Sequence, residues 1–282
     1  MRIGIAYGPS LDGWGDDKYK KLREAGFSSF DFSLIKTGIT PYNLDDGGFD
    51  LYLQKEKQLA QEAGIDFSQV HGPWRFPPRD GTPEERAERL HSMQRSVHGA
   101  AVLGSKYLVI HPIMPFGIDD LKTGLAEETH KLNLTFMRAL VETARQEGVT
   151  VCLENMPFPD FSISTPDAIA AFVREIDDPH FMMCLDTGHV NVFKELSPAD
   201  AVRKHADLIK VLHVHDNGGR RDEHLIPYYG TVNWADFTAA LHEGGFDGVL
   251  SLECVPPKGL PAPTLEHLFG LYAEIANLLA GN

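Results

Sequence analysis

Eight times along this chain of 282 residues a short apolar run ends in a polar residue, often one able to bind a metal. The runs are Ile3–Tyr7, Phe27–Phe32, Asp66–His71, Tyr107–His111, Thr150–Glu154, Phe181–Asp186, Ile209–His213 and Val249–Glu253. Segments of helical pattern lie between them, so strand, loop and helix recur in that order. Such alternation predicts parallel strands joined by helical crossovers. Eight units predict one closed (β/α)8 TIM barrel of the α/β class over residues 1–282, with its active site at the C-terminal ends of the strands. No Ser/Gly-rich, low-complexity or strongly charged stretch breaks the chain into separate domains.

The helices carry local start and stop signals. Thr82-Pro83-Glu84-Glu85 supplies a cap, a proline at the first helical position and two acids in the first turn. Thr165-Pro166-Asp167 and Ser197-Pro198-Ala199-Asp200 repeat that signature, while Gly26, Gly64, Gly104 and Gly148 stand where helices should stop. The spacing predicts helices over Asp16–Ala25, about Gly48–Ala63, Thr82–Leu103, Glu127–Gln146, short ones from Thr165 and Ser197, one from Asn233 to Gly244-Gly245, and a last one over Thr264–Leu279. In the second of these, Leu51, Leu59 and Ala63 fall near helical spacing.

Charge and cysteine content narrow the setting. With 26 basic and 40 acidic residues the formal charge is −14, which repels nucleic acid and anionic membranes at long range, although bound metal ions would cancel acidic ligands locally. Cys152, Cys184 and Cys254 are too few and too dispersed for a disulfide framework. Met1-Arg2 is followed by a five-residue apolar run and then Gly8-Pro9, and no stretch approaches 18 apolar residues. No signal peptide or membrane span is therefore expected, and a soluble cytoplasmic protein is the default.

Strand residues alternate faces, so i and i+2 share one. By that parity Val151 and Leu153 point outward to the helices. Cys152 with Glu154, Cys184 with Asp186, Val211 with His213 and His215, and Ser251 with Glu253 point into the barrel. Glu154, Asp186, His213 and Glu253 then surround one point at the ends of the last four strands. Three carboxylates and one imidazole suit a divalent ion such as Mn2+, Co2+, Mg2+ or Zn2+. Carboxylates so placed without a cation would repel one another strongly. A single His or acid at a strand end is ordinarily a hydrogen-bonded rim residue. Six such ends, His71, His111, Glu154, Asp186, His213 and Glu253, point instead to a metal site.

Other residues have plainer readings. Cys152 and Cys184 read as compact core fillers. His215 is inward by parity but past the strand end, so ligand and loop roles are both open. His91, His98, His130 and His242 fall on helices as surface or satisfied residues. Trp74, Phe76 and Phe116 serve either as pocket walls or as loop packing.

Leu153-Glu154-Asn155, Leu185-Asp186-Thr187-Gly188-His189, His213-Val214-His215-Asp216 and Leu252-Glu253 together resemble the xylose-isomerase-like barrel superfamily over essentially the whole chain. Its members include sugar and sugar-phosphate isomerases and epimerases, hydroxypyruvate isomerases, inosose dehydratases and endonuclease-IV-type AP endonucleases. The resemblance implies that Glu154, Asp186, His213 and Glu253 match the four ligands of the single-metal ketose epimerases. It also implies that His189 contacts substrate oxygens. In the AP endonucleases nine positions bind three zinc ions, and His71, His111, His189, Asp222 and His224 match the five further ligands. One ion is thus expected, with up to three as the nuclease-like alternative. The pattern departs in three places. Tyr228 stands where a glycine usually follows the Asp-x-His motif, with Gly230 two residues on. Gly219 stands where the epimerases carry an arginine, and Arg220 and Arg221 follow as substitutes that could reach substrate. Asn155-Met156-Pro157-Phe158-Pro159 replaces the Ala-Gly-rich segment of the endonucleases.

The resemblance implies an isomerase or epimerase of a small sugar or sugar phosphate, a polyhydroxy carbonyl compound. Glu154 and Glu253 would move the proton beside the carbonyl, and His189, Arg220, Arg221 and Trp74 would contact the substrate. An inosose-dehydratase-like lyase begins with the same proton abstraction. The alternative is a trinuclear zinc phosphodiesterase acting on DNA, for which the rim offers Lys36, Arg75, Arg79, Arg220 and Arg221 with Trp74 and Phe76. A sugar-sensing protein without catalysis is a third reading. Barrels of this superfamily occur as dimers and tetramers, so a homo-oligomer is also implied.

Overall fold

Strands β1 (Arg2–Ala6), β2 (Ser29–Ser33), β3 (Asp66–His71), β4 (Tyr107–Ile110), β5 (Thr150–Glu154), β6 (Phe181–Asp186), β7 (Ile209–His213) and β8 (Val249–Leu252) lie in one parallel sheet. The computed structural model describes the chain apart from residues 7, 8, 35–43, 75, 76, 79 and 282. Neighbours in sequence are neighbours in the sheet, and β1 pairs with β8. The ring closes through Val214, just past β7. It bridges to Leu252, takes a bond from its own N–H to the Ser251 carbonyl (2.8 Å) and accepts one from the Glu253 N–H (3.0 Å). The fold is a (β/α)8 barrel, as the sequence period predicts.

The helices are α1 (Lys18–Ala25), α2 (Asp46–Ala63), α3 (Pro83–Leu103), α4 (Asp120–Thr123), α5 (Ala126–Glu147), α6 (Pro166–Ile176), α7 (Thr187–Asn191), α8 (Pro198–His205), α9 (Trp234–Glu243) and α10 (Ala262–Ala280). Thr82 starts α3 with a reciprocal capping box: the Glu85 N–H donates to Thr82 Oγ1 (3.2 Å) and the Thr82 N–H to Glu85 Oε2 (3.1 Å). Thr165 and Ser197 cap α6 and α8, and α1, α2, α3 and α5 stop at Gly26, Gly64, Gly104 and Gly148.

In α2 the buried residues are Phe49, Leu53, Glu56 and Ala60, while Leu51 is 69% exposed. β2 begins at Ser29 rather than Phe27, because the Phe27 N–H still closes the end of α1 on the Leu22 carbonyl (3.1 Å). Helices α4 and α7 have only four and five residues, too short to leave a periodic signal.

The barrel interior separates from the helix-facing core as parity requires. Val109, Cys152, Cys184 and Val211 form their own buried cluster, while Val151 and Leu153 pack in the outer core. All three cysteines are free. Among the described residues no helix is long and apolar enough to cross a membrane.

Candidate active site

At the C-terminal end of the barrel a cavity of about 590 Å³ is lined by Ser33, His71, Trp74, His111, Glu154, Met156, Phe158, His189, Asp222, His224 and Glu253, among others. That size lies within the roughly 300–1,000 Å³ of small-molecule sites. Most of the polar wall residues come from a strand end or the first residues beyond one, and Asp222 and His224 are added by the long loop after β7. Glu154 and Asp186 are the last residues of β5 and β6, His213 is the last of β7, and Glu253 follows β8.

Glu154 sits at the centre. Its Oε1 is 2.8 Å from His213 Nδ1, and its Oε2 is 2.9 Å from His111 Nε2 and 3.3 Å from His71 Nε2. Glu253 Oε2 approaches the same His213 Nδ1 at 3.4 Å. One ligand atom from each of Glu154, Asp186, His213 and Glu253 lies within 4.8 Å of the others, so the four side chains chosen by parity do converge. Two further groups converge in the same way: His71 with Glu154 and His213, and His189 with His215, Asp222 and His224. His111 joins them through Glu154, and His189 Nδ1 lies 3.6 Å from Glu154 Oε1, so the nine residues named from the resemblance form one cluster.

Three of the six imidazoles are held from behind by backbone carbonyls. The Nδ1–H of His71 donates to the Gly72 carbonyl (2.7 Å), that of His189 to the Asn155 carbonyl (2.7 Å) and that of His224 to the Glu253 carbonyl (2.8 Å). Each bond leaves Nε2 facing a carboxylate, Glu154 for His71 and Asp222 for His189 and His224. A ring whose outer nitrogen is already bonded has a fixed tautomer and orientation, the usual preparation of a metal-binding imidazole. Asp186 caps α7 by accepting the His189 N–H at 2.6 Å, which ties the Asp-Thr-Gly-His motif to a single turn.

Burial and charge pull the proton affinities apart. Burial would raise the Glu154 carboxyl, but His213 and His111 more than reverse it, and the group is held well below the carboxylate range. Burial lowers His111 to about 4 despite its contact with Glu154. Burial opposes charge on His189 and His224 too, yet Asp186 and Asp222 outweigh it for His189 and Asp222 and Glu253 for His224, lifting each to about 10. Carboxylates and imidazoles here balance one another in part. The chemistry of the donor set fits a divalent ion at Glu154, Asp186, His213 and Glu253: all four are inward, and three are fully buried.

Trp74 lines the cavity, edge-on to His111 with centroids 4.4 Å apart. Phe116 is 37% exposed and is not among the described lining residues. Arg220 and Arg221 are exposed, Arg221 lies 3.8 Å from Glu223, and neither is among the described lining residues. Lys36, Arg75, Phe76 and Arg79 lie outside the described residues. Tyr228, in the place of the usual glycine, adopts a left-handed φ of 77° and is held there by its N–H bond to Asp216 Oδ2 (3.1 Å). His215 is buried, with Nε2 2.9 Å from Asp186 Oδ2 and its ring stacked on His224 at 4.1 Å. Sequence reasoning missed Asp31, whose Oδ2 lies 2.8 Å from His213 Nε2. Its signal was an acid between two phenylalanines in a strand.

The family description "Xylose isomerase-like TIM barrel" matches residues 19–270. The chain belongs to that family. Among its relatives is an uncharacterized protein of Methanocaldococcus jannaschii, 32% identical over an alignment of 193 residues that covers 65% of this chain and 63% of that protein. The chain thus spans just under two thirds of that relative. The D-psicose 3-epimerase of Enterocloster bolteae is 24% identical, with 90% of this chain and 82% of that protein covered. A probable endonuclease 4 of Mycoplasmopsis agalactiae is 23% identical over 71% of this chain and 72% of that protein. Among solved structures, a D-tagatose 3-epimerase-like protein superposes with a TM-score of 0.75 at 26% identity, covering 99% of this chain and 100% of the other. Both branches foreseen from the motifs, sugar epimerase and endonuclease, are thus represented among the relatives of this xylose isomerase-like barrel.

Proposed function

We propose that this protein is a divalent-metal-dependent epimerase or isomerase of a small sugar, acting by proton transfer at the carbon beside a carbonyl. The observation that carries the reading is the convergence of Glu154, Asp186, His213 and Glu253 within 4.8 Å at a cavity of small-molecule size. The similarity to a D-psicose 3-epimerase over 90% of the chain supports the same reaction class. None of the described lining residues is Lys or Arg, which favours a neutral polyhydroxy ketone over a sugar phosphate.

A divalent ion held by the four residues would act as a Lewis acid on the carbonyl and the neighbouring hydroxyl of the substrate. The remaining work belongs to side chains. Glu154 and Glu253 come from strands five and eight and both reach His213 Nδ1, so they flank the point where the reacting carbon would lie. One carboxylate removes the proton and the other, in its protonated form, delivers its own proton to the opposite face, which inverts the centre and leaves the two protonation states exchanged. Return by the same base at the neighbouring carbon gives isomerisation instead. His189, fixed by its bonds to the Asn155 carbonyl and to Asp222, lines the cavity where it would contact substrate oxygens. Trp74, Met156 and Phe158 form the apolar wall that limits water at the reacting carbon.

The test is solvent-deuterium exchange followed by NMR across ketoses and their phosphates, with added Mn2+ or Co2+. Deuterium should enter beside the carbonyl of an unphosphorylated ketose, with formation of its epimer or isomer. Absence of exchange across the panel by protein carrying its metal would overturn the reading. A second reading, phosphodiester hydrolysis at three metal ions, is favoured by the His189–His215–Asp222–His224 group beside the first site. Three ions per chain would support it, and one ion favours sugar chemistry.

A further inference from the structure

We infer that Asp31 is a positioning residue for the cation site: from beneath the cavity it holds the Nε2 side of His213 and so reserves Nδ1 for the ion. The inference rests on the metal reading above and goes one layer deeper into the barrel. Asp31 is 1% exposed, on the inward face of β2 between Ser29 below and Ser33, which lines the cavity above. Its Oδ2 accepts the His213 Nε2–H at 2.8 Å and the Gln69 Nε2–H at 2.9 Å. Gln69 is its register partner on β3 and also donates to the Leu212 carbonyl at 3.3 Å, beside His213 on β7. The carboxamide therefore ties the carboxylate to the strand whose imidazole it holds. The ladder between β2 and β3 changes register between Phe30 and Asp31, where this acid turns inward.

The choice of acceptor sets His213 apart. His71, His189 and His224 are held from behind by backbone carbonyls, whereas His213 is held by a carboxylate. A buried carboxylate is expensive unless it meets positive charge. Among the described residues Asp31 makes side-chain hydrogen bonds to Gln69 and His213 alone, and Oδ1 has none. Stability alone would be served by an apolar side chain, such as the Cys152, Cys184 and Val211 that fill the barrel interior elsewhere. A carboxylate on the outer nitrogen of a metal-bound imidazole fixes its tautomer and makes it a stronger donor. His213 is also the ring that both Glu154 and Glu253 approach, so its tilt sets the position of the ion between the two proposed acid–base groups.

The experiment titrates Mn2+ into metal-stripped parent, Asp31→Asn and Asp31→Ala, reading free Mn2+ by electron paramagnetic resonance and recording thermal melts of the stripped proteins. Asn keeps the shape and can still accept the Nε2–H, but without the charge. The expected result is weakening by about 10–100-fold for Asp31→Asn and more for Asp31→Ala, independent of any change in melting. Folded variants that bind Mn2+ as the parent does would overturn the inference, even with lowered melting temperatures. If neither variant folds, the parent decides: with 15N-labelled histidine and bound Zn2+, long-range 1H–15N spectra should show His213 bound through Nδ1 with a protected proton on Nε2. Metal on Nε2, or no protected Nε2–H, would overturn it. A parent that holds no Mn2+ overturns the metal reading, and this inference with it.

Discussion

Gly188 packs directly against the ring of His215: a Cβ at Gly188 would lie 2.8 Å from Nε2 and closer still to Cε1 and Nδ1. The glycine of the Asp-Thr-Gly-His motif is therefore a matter of space. It lets a fully buried imidazole reach Asp186 from the neighbouring strand end.

Gly188→Ala should push His215 off Asp186 and destabilise the protein by about 1–3 kcal/mol, the usual range for overpacking a buried site. Urea unfolding at neutral pH measures this. An alanine variant with unchanged stability would mean that the ring moves aside freely.

A structure of the protein loaded with Mn2+ should show one ion bound by Glu154, Asp186, His213 and Glu253, whose ligand atoms already lie within 4.8 Å of one another. Asp186→Asn should weaken Mn2+ binding and disturb the start of α7, because the same carboxylate accepts the His189 N–H. An ion seated elsewhere in the cavity would reject this ligand set.

Glu154→Gln and Glu253→Gln should each reduce epimerisation by about 10²–10⁴-fold, the range for loss of a general base. If the two work from opposite faces, one variant should still wash deuterium into substrate without inverting it. Exchange at the parent rate by both variants, with full metal occupancy, would make the glutamates ligands alone.

Zinc-loaded protein should leave a duplex with one abasic site uncut. The formal charge is −14, and the described cavity lining contains no Lys or Arg. Efficient, chelator-sensitive nicking would reverse the order of the two proposed activities.

His98 clamps α2 to α5, with Nε2 3.0 Å from Asp50 and Nδ1 3.2 Å from Glu147. Burial alone would lower its pKa, but the two carboxylates more than offset that and raise it above the ordinary 6.5. A raised pKa means the folded protein holds the proton more tightly than the unfolded chain. Its contribution is complete below about pH 6.5 and is lost as pH rises through the folded value. The melting-temperature gap between the parent and His98→Gln should therefore shrink from pH 6 upward. A constant gap would show that the ion pairs contribute nothing.

Most of the cavity's polar wall was legible because strand parity is a strict rule. Once Cys152 is inward, so is Glu154, and the same step brings in Asp186, His213 and Glu253. The stop glycines and Pro-preceded caps were equally direct, since they act within one turn of chain. The spacing of Leu51, Leu59 and Ala63 marked α2 as a helix, but only the packed neighbours decide which of its faces is covered. The expected partners Arg220 and Arg221 are exposed on a loop where local sequence sets no direction.

The sequence by itself determined the eight-fold alternation, the inward parity of each strand end and the residue types gathered at the rim, because these follow from periods of two and 3.6 residues along one chain. Only the tertiary structure decided which imidazole meets which carboxylate. His213 lies 182 positions from Asp31 and 59 from Glu154, and no local rule pairs residues at such distances. Closure of the ring, with its strand registers, sets those contacts, and it turned an unremarked aspartate between two phenylalanines into the support of the central histidine.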